Sequence, residues 1–186
     1  MNRPATHIDA ESPARFDVEE YLVIANSIEF AGKVELVDGV IVRMPPPNYP
    51  HFSVQRQVFR ALDAIFGNGI DGYIVGQELF VRLGEATVRG PDVSIFRDPG
   101  SITGLPDRDV LLLAVEVSDS SLRDDLGPKR LNYAAAGIME YWVVDINNRR
   151  VHRFTGPADG DYANEEKLDF GTPLPVPGTT NSIVLD

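Results

Sequence analysis

The sequence predicts an α/β fold, a mixed β-sheet with α-helices on its faces. Three observations predict it. The apolar pattern switches along the chain between helical spacing and short β-branched runs, in the order helix, hairpin, helix, strands, helix, strands. One run, VLLLAVEVSD (Val110 to Asp119), is almost continuously apolar, as expected of a strand covered on both faces. No internal repeat, low-complexity segment or linker divides the chain.

Taken in order, Met1 to Arg15 reads as a loose leader and residues 16–186 as one domain. FDVEEYLVIANSI (Phe16 to Ile28) predicts a helix. Asp17 suits its cap, Glu19 and Glu20 suit its first turn, and Tyr21, Leu22 and Ala25 form an apolar side. KVELVDGVIVRM (Lys33 to Met44) predicts a hairpin around the two-residue turn Asp38-Gly39. PPPNYP (Pro45 to Pro50) is expected to forbid regular structure. HFSVQRQVFRALDAIF then sets Phe52, Val58, Phe59, Leu62 and Phe66 at helical spacing, with Gly67 to Gly69 as the stop. GYIVGQELFVRL and TVRGPDVSIF read as two strands, followed by a loop from Arg97 to Asp109. DDLGPKRLNYAAAG (Asp124 to Gly137) predicts a short helix capped by Asp124 or Asp125 and stopped by Gly137. EYWVVDI and RRVHRFTG predict a strand pair around Asn147-Asn148, with Asp145 capping the turn, and NSIVLD a final edge strand.

Composition narrows the function. The 43% hydrophobic and 24% charged content is that of a folded chain, and no apolar run is long enough to span a membrane. The start of the chain carries no apolar signal core, so a cytoplasmic protein is expected. With no cysteine, disulfides and cysteine zinc sites are excluded. A net charge of −11 opposes tight, sequence-independent binding to nucleic acid and leaves room only for a local basic cleft.

The chemistry concentrates in two acids. Glu116 is the one charged residue inside the apolar run. A carboxylate there costs several kcal/mol unless it is paired, protonated or metal-bound. Three readings are open for it: exposure at a strand end, pairing with a base, or service as a metal ligand or catalytic acid. Alternation places Leu112, Ala114, Glu116 and Ser118 on one face, and Leu111, Leu113, Val115 and Val117 on the other. The second acid, Asp92, follows Pro91 at the head of the preceding strand. Adjacent strands lie about 4.8 Å apart, so two carboxylates at one end of such a pair can share a divalent cation. Oxygen donors of this kind suit Mg²⁺ or Mn²⁺.

GPDVSIF, then LLAVEVSDSS, then DDLGPKRLNYAAAGIMEYWVVD, together with VELVDGVIVRMPPPNYPH, resemble the PD-(D/E)XK nuclease superfamily. Within it they resemble the Uma-two family, whose members are assigned as bacterial restriction endonucleases. The resemblance runs from about Phe16 to Phe154. It implies a restriction-endonuclease-like core: a mixed sheet flanked by helices, with an N-terminal helix and hairpin. It also implies a metal-dependent phosphodiester hydrolase acting on DNA, with Mg²⁺ or Mn²⁺ held by Asp92, Glu116 and the Val117 carbonyl, and Glu35 as an auxiliary acid. The alternative for Glu35 is a solvent-facing strand residue. A non-catalytic binding or oligomerisation module on the same fold is the alternative to an enzyme.

The chain departs from the superfamily pattern at Ser118, where a lysine is expected. Lys129, on the following helix, is the implied replacement, and Arg130 is the nearby alternative. Lys129 and Tyr133 are four apart and share a helix face. His51, Gln77 and Tyr133 are candidates for substrate contact. For His51 a cap or surface role competes, and for Gln77 a satisfied structural amide. Tyr141 and Trp142 are expected in the core. Arg149, Arg150 and Arg153 form the densest basic cluster, read either as a phosphate-facing surface or as a charged edge strand. A homodimer is expected, since cutting both strands of a duplex calls for two sites.

Overall fold

The computed structural model describes residues 14–27, 33–67, 72–98, 100 and 104–186. The leader up to residue 13, Ile28, and the Asn68-Gly69 part of the expected helix stop lie outside them. Helix α1 (Val18–Ala25) carries a capping box between Asp17 and Glu20. Strands β1 (Val34–Val37) and β2 (Val40–Arg43) form the hairpin. Its two turn residues are left-handed, with φ of 48° at Asp38 and 81° at Gly39, as a type I′ turn requires.

Helix α2 (Tyr49–Phe66) starts inside the proline-rich segment, which is a correction. Asn48 caps it, and Pro50 falls in the first turn, where a missing N–H is no loss. Phe52 is a second correction. It is 50% exposed, while Val58, Leu62 and Phe66 are buried.

Each of the two expected strands is broken in the middle. The first gives β3 (Tyr73–Gln77) and β4 (Val81–Gly84), and the second gives β5 (Thr87–Arg89) and β6 (Val93–Arg97). The breaks let one stretch of chain serve two sheets. Sheet one has the order β2-β1-β5-β4. It packs Leu36 and Val88 against Val18 and Tyr21 of α1. The second sheet has the order β10-β9-β8-β7-β6-β3, where β7 is Leu111–Ser118, β8 Glu140–Asp145, β9 Arg150–Ala158 and β10 Asp161–Asp169. Strands β7 and β8 are parallel, and the sheet's other neighbours are antiparallel.

One face of this sheet is covered by α2, with Val58, Leu62 and Phe66 against Val93, Val115 and Trp142. The other is covered around Tyr133, Ile138 and Tyr141. A register shift between Ile95 and Phe96 puts a bulge opposite the start of β7. Leu111 and Leu112 therefore swap the faces that strict alternation assigns them, while the alternation holds from Leu113 onward.

The crossover from β7 to β8 is not one regular helix. It runs as a helical turn α3 (Leu122–Asp124), a π turn (Asp125–Lys129) kinked at Gly127-Pro128, and helix α4 (Arg130–Ala135). Gly137, at φ 78°, ends it. Neither Asp124 nor Asp125 makes a side-chain cap bond. Strands β9 and β10 form a long hairpin whose second strand lies beyond the predicted strand pair. β11 (Leu174–Pro175) and β12 (Ser182–Ile183) pair with each other, so NSIVLD extends neither large sheet.

Candidate active site

A cleft of about 640 Å³ lies where β6 begins and β7 ends, and Asp92, Glu116, Val117, Lys129 and His51 all line it. Pro91 and Asp92 precede β6, so the proline removes no ladder hydrogen bond and the acid needs no strand partner. Asp92 Oδ2 accepts from the Val117 N–H at 2.7 Å and lies 3.1 Å from His51 Nε2. Its carbonyl accepts from Gln55 Nε2 at 3.0 Å. Burial works against its charge, but His51 and the Val117 N–H hold its pKa below the ordinary aspartate value. Burial also disfavours charge on His51, and contact with Asp92 reverses that and raises its pKa.

Glu116 is buried among the apolar residues of β7. Lys129 Nζ donates to its Oε2 at 2.9 Å and Tyr133 Oη donates to its Oε1 at 3.0 Å. Burial pushes its pKa up to about 8. Lys129 opposes that rise, and Asp92, Asp125 and Glu35 add to it. Lys129 is also buried, and burial lowers its pKa, but Glu116 and Asp125 carry it well above the ordinary lysine value.

Asp125 was expected only as a cap. It lies 3.0 Å from Lys129 Nζ through Oδ1, and accepts from Ser118 Oγ and Ser121 Oγ through Oδ2. Its spacing of four from Lys129 is the sequence signal that could have found it. Arg130 turns away to Asp161 at 3.0 Å and stacks over Phe154, so the cation beside Glu116 is Lys129.

Glu35 does not face solvent. It is fully buried and receives Arg89 Nη1 at 2.8 Å and the Gly90 N–H at 2.9 Å. Arg89 is fixed in turn by Asn132 Oδ1 at 2.6 Å. Neither Arg89 nor Asn132 carries a motif signal. Tyr133, expected as a substrate contact, is fully buried, donates to Glu116 and is not among the residues that line the cleft. Gln77 is exposed at the end of β3 and does not line the cleft, while Glu78 beside it does. The Arg149 to Arg153 cluster is consumed within the fold. Arg150 pairs with Asp169, Arg153 with Glu140 and Glu166, and Arg149 lies over Phe170.

The chain matches the family model Uma2, described as "Putative restriction endonuclease", over residues 18–186. It belongs to the Uma2 family. No curated protein matches it. Among solved structures, this Uma2 chain is similar to a "putative nuclease belonging to DUF820" from Anabaena variabilis ATCC 29413. The TM-score is 0.67 at 17% identity, over 87% of this chain and 89% of that one, a likeness of fold. The Uma2 chain thus has a restriction-endonuclease-like α/β fold, and no helix among its described residues is long and apolar enough to cross a membrane.

Proposed function

We propose that this chain is a metal-dependent phosphodiester hydrolase with DNA as substrate. The observation that carries the reading is the convergence of Asp92, Glu116 and Lys129 on one cleft. The charge of the cluster supports a cation there. Asp92, Glu116, Asp125 and Glu35 outnumber Lys129 and Arg89, and Asp92, Asp125 and Glu35 add to the rise that burial causes in the pKa of Glu116. Two carboxylates and a backbone carbonyl suit Mg²⁺ or Mn²⁺, which take one or two carboxylates and fill the rest of their shell with water and substrate oxygens. Asp92, Glu116 and the Val117 carbonyl would hold it. When bound, it would polarise a phosphate and acidify a water.

The chain's own groups do the rest. The Val117 N–H and His51 fix Asp92, and Tyr133 fixes Glu116. An ammonium has three donors; Lys129 gives one to Glu116 at 2.9 Å, and Asp125 Oδ1 lies 3.0 Å away as its ion-pair partner. A remaining donor would neutralise charge developing on the phosphate oxygens. Purified protein is expected to cleave DNA with Mg²⁺ or Mn²⁺, and Asp92→Ala to reduce the rate at least ~100-fold. Cleavage that survives that change rejects the site.

One observation favours a non-catalytic module instead. Both Glu116 oxygens and Asp92 Oδ2 already have partners within the chain. Calorimetric titration with Mn²⁺ separates the two readings, because a closed structural network takes up no cation.

A further inference from the structure

We propose that the outer stripe of α2 is a track for an unpaired DNA strand leading into the cleft. This deepens the hydrolase reading and rests on it. The helix starts at the cleft, since both Asn48, its cap, and His51 line it. Tyr49, Phe52, Ser53, Arg56 and Arg60 follow at steps of three, one, three and four, which keeps them on one face. That face is turned to water. Tyr49 is 80% and Phe52 50% exposed, and Arg56 and Arg60 are both exposed. Ser53, Arg56, Gln57 and Arg60 line a shallow groove of their own.

Charge identifies the occupant. In a chain of net charge −11, several guanidinium groups are paired with the chain's own acids: Arg82 with Glu19, Arg89 with Glu35, Arg108 with Asp109, Arg130 with Asp161, Arg150 with Asp169 and Arg153 with Glu140. Arg56 and Arg60 have no ion pair or hydrogen bond among the described residues. Two unpaired cations one helical turn apart, beyond two bare aromatic rings, combine backbone charge contacts with stacking platforms. That combination binds single strands without reading sequence. Paired bases keep their faces inside the duplex stack, so between the two forms of DNA it is the unpaired strand whose bases can stack on these rings. At 1.5 Å per residue the stripe is about 17 Å long, enough for a few nucleotides.

The test is fluorescence anisotropy with a labelled oligothymidylate carrying hydrolysis-resistant phosphorothioate linkages, with Mn²⁺ present. Phe52→Ala is expected to weaken Kd about tenfold. Arg56→Gln/Arg60→Gln is expected to flatten the slope of log Kd against log salt by about 1.4, or 0.7 for each lost phosphate contact. Arg97→Gln removes an exposed charge at the opposite end of β6 and should change neither. Wild type should prefer the single strand over a duplex of matching length.

Wild-type affinity in the α2 variants, an equal loss in Arg97→Gln, or a preference for duplex overturns the track. Hydrolysis of bis-p-nitrophenyl phosphate, too small to span α2, reports on the cleft alone and is expected to be equal in wild type and α2 variants. Normal strand binding with no such hydrolysis would sink the hydrolase reading and leave the track standing.

Discussion

A carboxylate as completely enclosed as Glu116 keeps its proton until something replaces it. Its pKa in the folded chain is about 8, above its unfolded value, so the folded state holds an extra proton between those values. The stability this contributes is fully present below the unfolded pKa and is lost as pH rises through about 8. His51, also raised, acts in the same direction from its own ordinary value upward. Asp92 has the opposite sign, and its contribution is lost only in strong acid. Urea denaturation in EDTA should therefore show the chain weakening from pH 5.5 to pH 8.5, and Glu116→Gln should flatten that decline. A wild type equally stable at both pH values contradicts the assignment. The Glu35–Arg89 pair makes a second prediction at this scale. Arg89→Met leaves a buried carboxylate uncompensated and should cost about 3–5 kcal/mol, of which Glu35→Gln in the same chain restores a large part.

At the scale of elements, Gly39 is the residue on which the hairpin turns. Its φ of 81° suits glycine, and a Cβ there would come within 2.9 Å of the Arg15 Cβ. Gly39→Ala is expected to cost about 1–3 kcal/mol in chemical denaturation. The hairpin was legible because Asp-Gly between β-branched runs has few other uses. So were the body of α2, from the helical spacing of Val58, Leu62 and Phe66, and β7, from its almost unbroken apolar run. The crossover was legible only as helix, because its π turn is set by two tertiary demands. Lys129 must reach Glu116, and Asp125 must reach Ser118. In the site, Asp92 and Glu116 stand out because each breaks a local rule, whereas Lys129 breaks none and enters only through the family resemblance. Arg89 and Asn132 break none, and their roles come from contacts between distant segments. Strand β10 was hidden by its own composition: Glu165, Glu166 and Lys167 carry no strand pattern, because their partners on β9 are invisible in a local window.

For the molecule as a whole, a cation that binds only the folded chain must raise its melting temperature. At a Mn²⁺ concentration about 100 times Kd the gain is about 2.7 kcal/mol, which for a chain of this size is a shift of roughly 5–10 °C. Asp92→Ala should abolish most of the shift in a calorimetric scan, and a shift of the same size in that variant would place the cation elsewhere. The pairing of β9 with β10 has a different consequence. The outermost strand presents acids to a basic neighbour: Glu166 faces Arg153, Asp169 faces Arg150, and Glu165 reaches His152 at 3.0 Å. An edge fastened partly by such contacts loosens when counter-ions crowd in or when its carboxylates are protonated. Amide hydrogen exchange along β10 should therefore accelerate with ionic strength while β8, enclosed on both flanks, stays protected. The sheet would then fray from one margin inward, well before the fold as a whole gives way.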